Sequence, residues 1–172
     1  MNESKESEES IKEKLNKAID SLVREDFKLF TLDVNERSIC HRLALYLEPY
    51  FPGWNIDCEY NRDRSTSKKL KSLAYRMDIA LIKIDETDGP TVFPDIIVHR
   101  RGNNDNLLVI EMKKTSYGNE REEFDRCKLV AFKTDLNYQF TALVKIRTGN
   151  KCDLENRRNN VRIFWSPECQ SL

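Results

Sequence analysis

Between residues 11 and 24, Ile11, Leu15, Ile19 and Leu22/Val23 recur at steps of three and four, one face of an amphipathic helix with Ser10 as its N-cap. Residues 36–48 repeat that spacing through Ile39, Cys40, Leu43, Ala44 and Leu47, and Pro49, Pro52 and Gly53 end the second helix. The period then drops to two. Trp54, Ile56, Cys58 and Tyr60 alternate with Asn55, Asp57 and Glu59, a strand with one buried face. A basic polar loop over 61–72 precedes a strand at 77–84 (MDIALIKI) and a DETDGP turn. Residues 95–101 (DIIVHRR) and 107–113 (LLVIEMK) read as a hairpin about the turn GNNDN. Helical spacing returns at 120–135, with Phe124, Cys127 and Ala131 on one line and Leu129, Phe132 and Leu136 on another, so this helix packs centrally. Strands at 140–146 and 161–165 close the order α-α-β-β-β-β-α-β-β, a mixed α/β layer fold. Residues 1–10, with Met1 as their one apolar anchor, read as a disordered acidic tail before a single domain over 11–172.

Charge sharpens this picture. Lys plus Arg and Asp plus Glu both number 29, which excludes a globally basic nucleic-acid coat. The balance is local. Residues 1–26 carry eight acids against five bases. Residues 60–76 carry six bases against one acid, and 145–162 six against two. Two basic segments on a neutral chain suit one phosphate-facing surface, or two solvated loops. The five cysteines form no CxxC pair and the polar start is unlike a signal peptide, so the expectation is reduced thiols in the cytoplasm, without a disulfide framework or a zinc site. No run of 18 apolar residues predicts a membrane span.

The hairpin carries the chemistry. If Gly102 to Asn106 is the turn and Arg101 faces Leu107, opposed residue numbers sum to 208 and Asp95 lies opposite Lys113. Glu111 and Lys113 then share a face roughly 7 Å apart. Asp95 joins them, and a one-residue slip would send it to the other side. Glu111 interrupts the apolar run LLVIEM, where burial needs a compensating partner such as a metal or Lys113. An ordinary Glu–Lys pair on a solvated sheet face is the competing reading.

Pro94-Asp95 followed by Glu111-Met112-Lys113 resembles the signature of the PD-(D/E)XK nuclease superfamily, the restriction-endonuclease-like fold. The resemblance covers about residues 33–147, and ERSICHRLALYLEPYFPGWNIDCEYNR is similar to the lead-in of small standalone members. It implies an αβββαβ core, a mixed central sheet flanked by helices, here with an extra N-terminal helix. It also implies Mg²⁺ (with Mn²⁺ able to substitute) held by Asp95, Glu111 and the Met112 carbonyl, and Lys113 orienting water or stabilising the transition state. These are hard oxygen donors suited to that ion. Glu36, in line with Cys40, Leu43 and Leu47, fits the acid that family members carry on the preceding helix. Its competing role is a capping box with Asp33 as N-cap.

Weaker candidates surround this set. Asp78 lies 33 residues before Glu111, too far for a simple hairpin. Glu59 points away from the apolar face of its strand, His99 shares the predicted active face, and His41 carries no special pattern. Arg100, Arg101 and Lys114 at strand ends suit phosphate contacts, as do Arg62, Lys68, Lys69 and Lys71 in the basic loop. Lys128 matches a helix position where the family places a basic or amide group near the cleft. The family's glutamine is absent there. The expected partner is DNA, with helix 11–24 and VRIFW (161–165) as material for a homodimer. The alternative is a catalytically silent nucleic-acid-binding or protein-interaction module of the same fold. No helix-turn-helix, zinc finger or GxxxxGK[ST] motif specifies substrate or supplies ATP-driven motion.

Overall fold

A computed structural model describes residues 6–60, 62–63, 66–67, 70, 72–73, 93–115 and 119–169. Helix α1 spans Glu8–Thr31 and α2 spans Glu36–Leu47. Helix α1 begins three residues before the predicted start, because Ser7, not Ser10, caps it by accepting from the Ser10 N–H at 3.1 Å. Residues 8–10, expected in a disordered tail, are therefore helical. The helix also runs on beyond residue 24, kinking at Asp26. The Asp26 carboxylate there accepts from Arg42 Nε and the Tyr46 hydroxyl, both at 2.7 Å, fastening the bend to α2.

Strand β1 (Asn55–Cys58) stops short of the predicted Tyr60, since Glu59 takes a left-handed φ of 51°. Two short strands, β2 (Arg62–Asp63) and β3 (Thr66–Ser67), pair within the stretch expected to be loop. The predicted strand 77–84, its DETDGP turn and Asp78 lie outside the described residues. There follow β4 (Ile96–His99), β5 (Asn106–Lys114), α3 (Asn119–Leu136), β6 (Phe140–Ile146) and β7 (Val161–Trp165). The main sheet has the order β1-β4-β5-β6-β7. Strands β5 and β6 are parallel and the other pairs antiparallel, so α3 is the crossover that parallel pairing requires. This is a mixed α/β architecture.

Side-chain alternation divides the core in two. Ile96, Val98, Leu108, Ile110, Met112, Ala142, Val144 and Ile146 join the α1/α2 side. Ile97, Val109 and Leu143 join Cys127, Leu129, Ala131, Phe132 and Leu136 of α3. The two elements named as dimer material are used within the chain: α1 buries eight residues, and β7 pairs with β6. Among the described residues no helix is long and apolar enough to cross a membrane.

Cys127 and Cys169 form a disulfide, joining α3 to the segment after β7. This corrects the expectation of reduced thiols throughout. The two cysteines stand 42 residues apart, and only the folded topology brings them together. Cys40, Cys58 and Cys152 are free.

Candidate active site

The β4–β5 register differs from the predicted one by two. Ile96 faces Ile110, Ile97 faces Val109 and Val98 faces Leu108, so opposed numbers sum to 206. The turn is tied by the Arg100 N–H donating to the Asp105 carbonyl at 2.9 Å. Asn106 already belongs to β5, and the ladder is irregular between Val98 and His99. An even slip leaves the side chains of the regular ladder, Ile96 to Val98 against Leu108 to Ile110, on their predicted faces. It moves Asp95 level with Glu111 instead of Lys113.

Strand β4 begins at Ile96, while β5 continues to Lys114. The amides of Met112 and Lys114 therefore face the space beyond the end of β4, whereas the Thr115 N–H turns to β6 and donates to the Ile146 carbonyl. Two carboxylates fill that space. Asp95 Oδ2 accepts from the Met112 N–H at 2.7 Å, and Glu36 Oε2 accepts from the Lys114 N–H at 3.0 Å. The Met112 carbonyl points the same way as its amide, as strand geometry requires. Glu36 arrives from the first turn of α2, whose N-cap is Asn35, accepting from the Ser38 N–H. The capping box built on Asp33 is not formed.

Glu111 and Lys113 lie on the α3 side. Glu111 is buried (1 % exposed), and its Oε2 accepts from Lys128 Nζ at 2.8 Å. Its Oε1 is buried without a hydrogen bond. The Lys113 ammonium is 2.6 Å from Asp125 Oδ2. The six groups comprise four carboxylates (Glu36, Asp95, Glu111, Asp125) and two ammoniums (Lys113, Lys128), a formal excess of two negative charges. Desolvation pushes the Glu111 carboxyl well above its ordinary range, against the pull of Lys128, and Asp95 and Asp125 push the same way. Desolvation also raises the Glu36 and Asp125 carboxyls. Burial lowers the Lys113 and Lys128 ammonium values, but surrounding acids outweigh it and both end raised.

The donors are of the chemical kind that a hard divalent cation takes. The set offers carboxylate oxygens on both sides of a backbone carbonyl, and Glu111 Oε1 among them is buried without a hydrogen bond. The acids are held apart in this conformation. Among the described residues, the one group of three His, Cys, Asp or Glu ligand atoms within 4.8 Å of one another is Glu123, Cys127 and Cys169, whose two sulfurs are bonded to each other.

Other predicted residues take different places. Lys114 is buried, its ammonium bound to the Val34 carbonyl at 3.0 Å and to Asp33 Oδ1 at 2.5 Å. It anchors the α1–α2 connection instead of facing phosphate. Lys128 is likewise buried, held by Glu111 and by the Phe93 carbonyl at 2.8 Å, which takes it out of the phosphate-binding set. The Arg101 guanidinium is engaged by Asp57, which also meets His99 Nε2 at 2.8 Å. Burial pushes the Asp57 carboxyl up, but these bonds outweigh it and hold it below the usual range. Arg100 stacks 4.7 Å from the Trp54 ring centre. Glu59 pairs with Arg37 at 2.6 Å on the surface, and His41 is exposed. Lys68, Lys69 and Lys71 fall outside the described residues, and of Arg62 only the backbone, in β2, is described.

Asp125 was missed by sequence reasoning. Its signal was present: Asp125, Leu129, Phe132 and Leu136 follow steps of four, three and four, extending the buried line of α3 back to an acid.

No family model, no curated protein and no solved structure matches this chain.

Glu36→Gln separates ligand from structural acceptor. The amide keeps an oxygen for the Lys114 N–H, so stability should change by less than about 1 kcal/mol. Divalent-cation affinity, read by calorimetry, should fall by about tenfold or more. Unchanged affinity with a lowered melting temperature would make Glu36 a structural acceptor alone.

Proposed function

We propose that this chain is a divalent-cation-dependent nuclease of the restriction-endonuclease-like type, hydrolysing phosphodiester bonds in DNA. The observation that carries the reading is the strand-end arrangement: Asp95 and Glu36 on successive outward amides of β5, Glu111 level with Asp95 and carrying a buried oxygen without a hydrogen bond, and Lys113 two residues on. Asp95, Glu111, Glu36 and the Met112 carbonyl would hold Mg²⁺ or Mn²⁺. When bound, such an ion supplies positive charge to the phosphate oxygens and makes water a better nucleophile. Lys113 donates to a non-bridging phosphate oxygen or orients the attacking water, offsetting the charge that develops as the water oxygen bonds phosphorus and gives a proton to solvent while the bridging P–O bond breaks and its oxygen takes a proton up.

Lys128 favours a second reading. It already supplies a positive charge to Glu111 from within the fold, as a silent binding module of the same architecture would need. The test is cleavage of plasmid, single-stranded and branched DNA with Mg²⁺, Mn²⁺ or chelator, beside calorimetric titration of Mn²⁺ into wild type and Asp95→Ala. Metal-dependent cutting, with cation affinity at least about tenfold weaker in the variant, is expected. Salt-sensitive DNA binding without cutting selects the silent module. Equal Mn²⁺ binding in both proteins removes Asp95 from the site.

A further inference from the structure

We infer that Asp125 is a positioning residue that holds the Lys113 ammonium on the α3 side, away from the oxygens that would bind the cation. This rests on the nuclease reading above and assigns a role to a residue outside the motif.

Lys113 and Glu111 share one face of β5, two residues apart. A flexible lysine beside a carboxylate, with Glu36 and Asp95 also near, would fold its four-carbon stem onto those acids. That would cover the oxygens a cation needs and withdraw the ammonium from the phosphate. The structure pairs both residues with α3 instead. Lys113 goes to Asp125 and Glu111 goes to Lys128. The crossover geometry makes this pairing specific. The chain reverses between β5 and α3, so the earlier helix residue meets the later strand residue. Asp125 and Lys128 are three apart, one turn of helix on a shared side. Acid thus faces base twice across β5 and α3.

The cost of Asp125 argues in the same direction. Its side chain is 10 % exposed, on a helix line otherwise occupied by Leu129, Phe132 and Leu136. A carboxylate there is expensive, and a leucine would continue the buried line at no such cost. An acid at this position has a purpose in fixing the one strand lysine it meets.

The experiment uses the full chain and the near-isosteric Asp125→Asn. Three readouts are taken: kcat and KM on a DNA substrate with Mn²⁺, Mn²⁺ affinity by calorimetry, and the ¹⁵N-lysine ammonium spectrum, with the Lys113 signal assigned by its loss in Lys113→Arg. The variant is expected to lose about 10²-fold in kcat with KM nearly unchanged, because the ammonium is misplaced and not removed. Mn²⁺ affinity should fall by about tenfold or more as Lys113 falls onto the ligands. The slowly exchanging Lys113 ammonium signal of the wild type should disappear. A variant with wild-type kcat, cation affinity and Lys113 signal, altered only in melting temperature, would reduce Asp125 to a structural ion pair. If wild type itself cuts no DNA, the nuclease reading fails. The ammonium spectrum and the Mn²⁺ titration then still decide whether Asp125 holds Lys113 off the acids, and an unchanged signal and affinity would overturn the inference. Should Asp125→Asn not fold, Asp125→Glu replaces it, with a displaced Lys113 signal and reduced kcat expected and wild-type values on both overturning the proposal.

Discussion

Lys113→Ala is expected to abolish DNA cleavage, by roughly 10³-fold or more in kcat, while divalent-cation affinity is retained. An ammonium is no ligand for a hard cation, so its loss falls on the chemical step, and a factor of 10³ corresponds to about 4 kcal/mol of transition-state stabilisation. The fold is affected as well, because the alanine leaves the buried Asp125 carboxylate without the ammonium 2.6 Å away. That should cost about 1–3 kcal/mol of stability. The double variant Lys113→Ala/Asp125→Asn removes the stranded charge and should recover most of the stability and none of the activity. Single-turnover cleavage and urea unfolding of both proteins make the comparison. A single variant that cuts at near wild-type rate would leave Lys113 as an ion-pair partner only.

Lys128→Met should produce the largest loss of stability, about 3–5 kcal/mol near neutral pH. It strands a fully buried carboxylate, and breaking one half of a buried pair costs more than replacing both. The loss should depend on pH in a fixed direction. Burial, with Asp95 and Asp125, already raises the Glu111 carboxyl well above its ordinary value, and Lys128 opposes that rise. Without Lys128 it climbs further. A carboxyl raised in the folded state binds protons there that the unfolded chain has released. Its stability contribution is therefore complete below the unfolded value and is lost as pH rises toward the folded one. The variant should lie close to wild type near the ordinary carboxyl range and fall progressively behind toward neutrality. Urea midpoints across that range test this, and a pH-independent gap would show that Lys128 is not Glu111's counter-ion.

Much of the candidate cluster's placement was legible from residue order alone. Alternation along β5 places Glu111 and Lys113 on one face whatever the register, since residues two apart on one strand always share a face. The step pattern from Glu36 to Leu47 turned that acid inward before any neighbour was known. The same rule brought Asp95 to the site even though the predicted register was off by two. Period and parity are properties of the backbone, so a sequence carries them without tertiary information.

Partner choice is different in kind. Nothing in the order of residues says that Lys128 meets Glu111 and the Phe93 carbonyl, or that Lys113 meets Asp125. Nor does it say that Lys114 turns into the α1–α2 connection, or that Cys127 reaches Cys169 across 42 residues. Each of these charged or reactive groups has several acceptable partners by chemistry alone. The choice is made by which strand ends first, where α3 reverses across the sheet, and how far a side chain must reach to avoid being buried alone. Sequence by itself determined which faces the acids and lysines occupy, because local backbone geometry repeats every two or 3.6 residues. Only the tertiary structure decided which charge neutralises which, because pairing energies depend on distance and desolvation that exist only once β5 and α3 are packed.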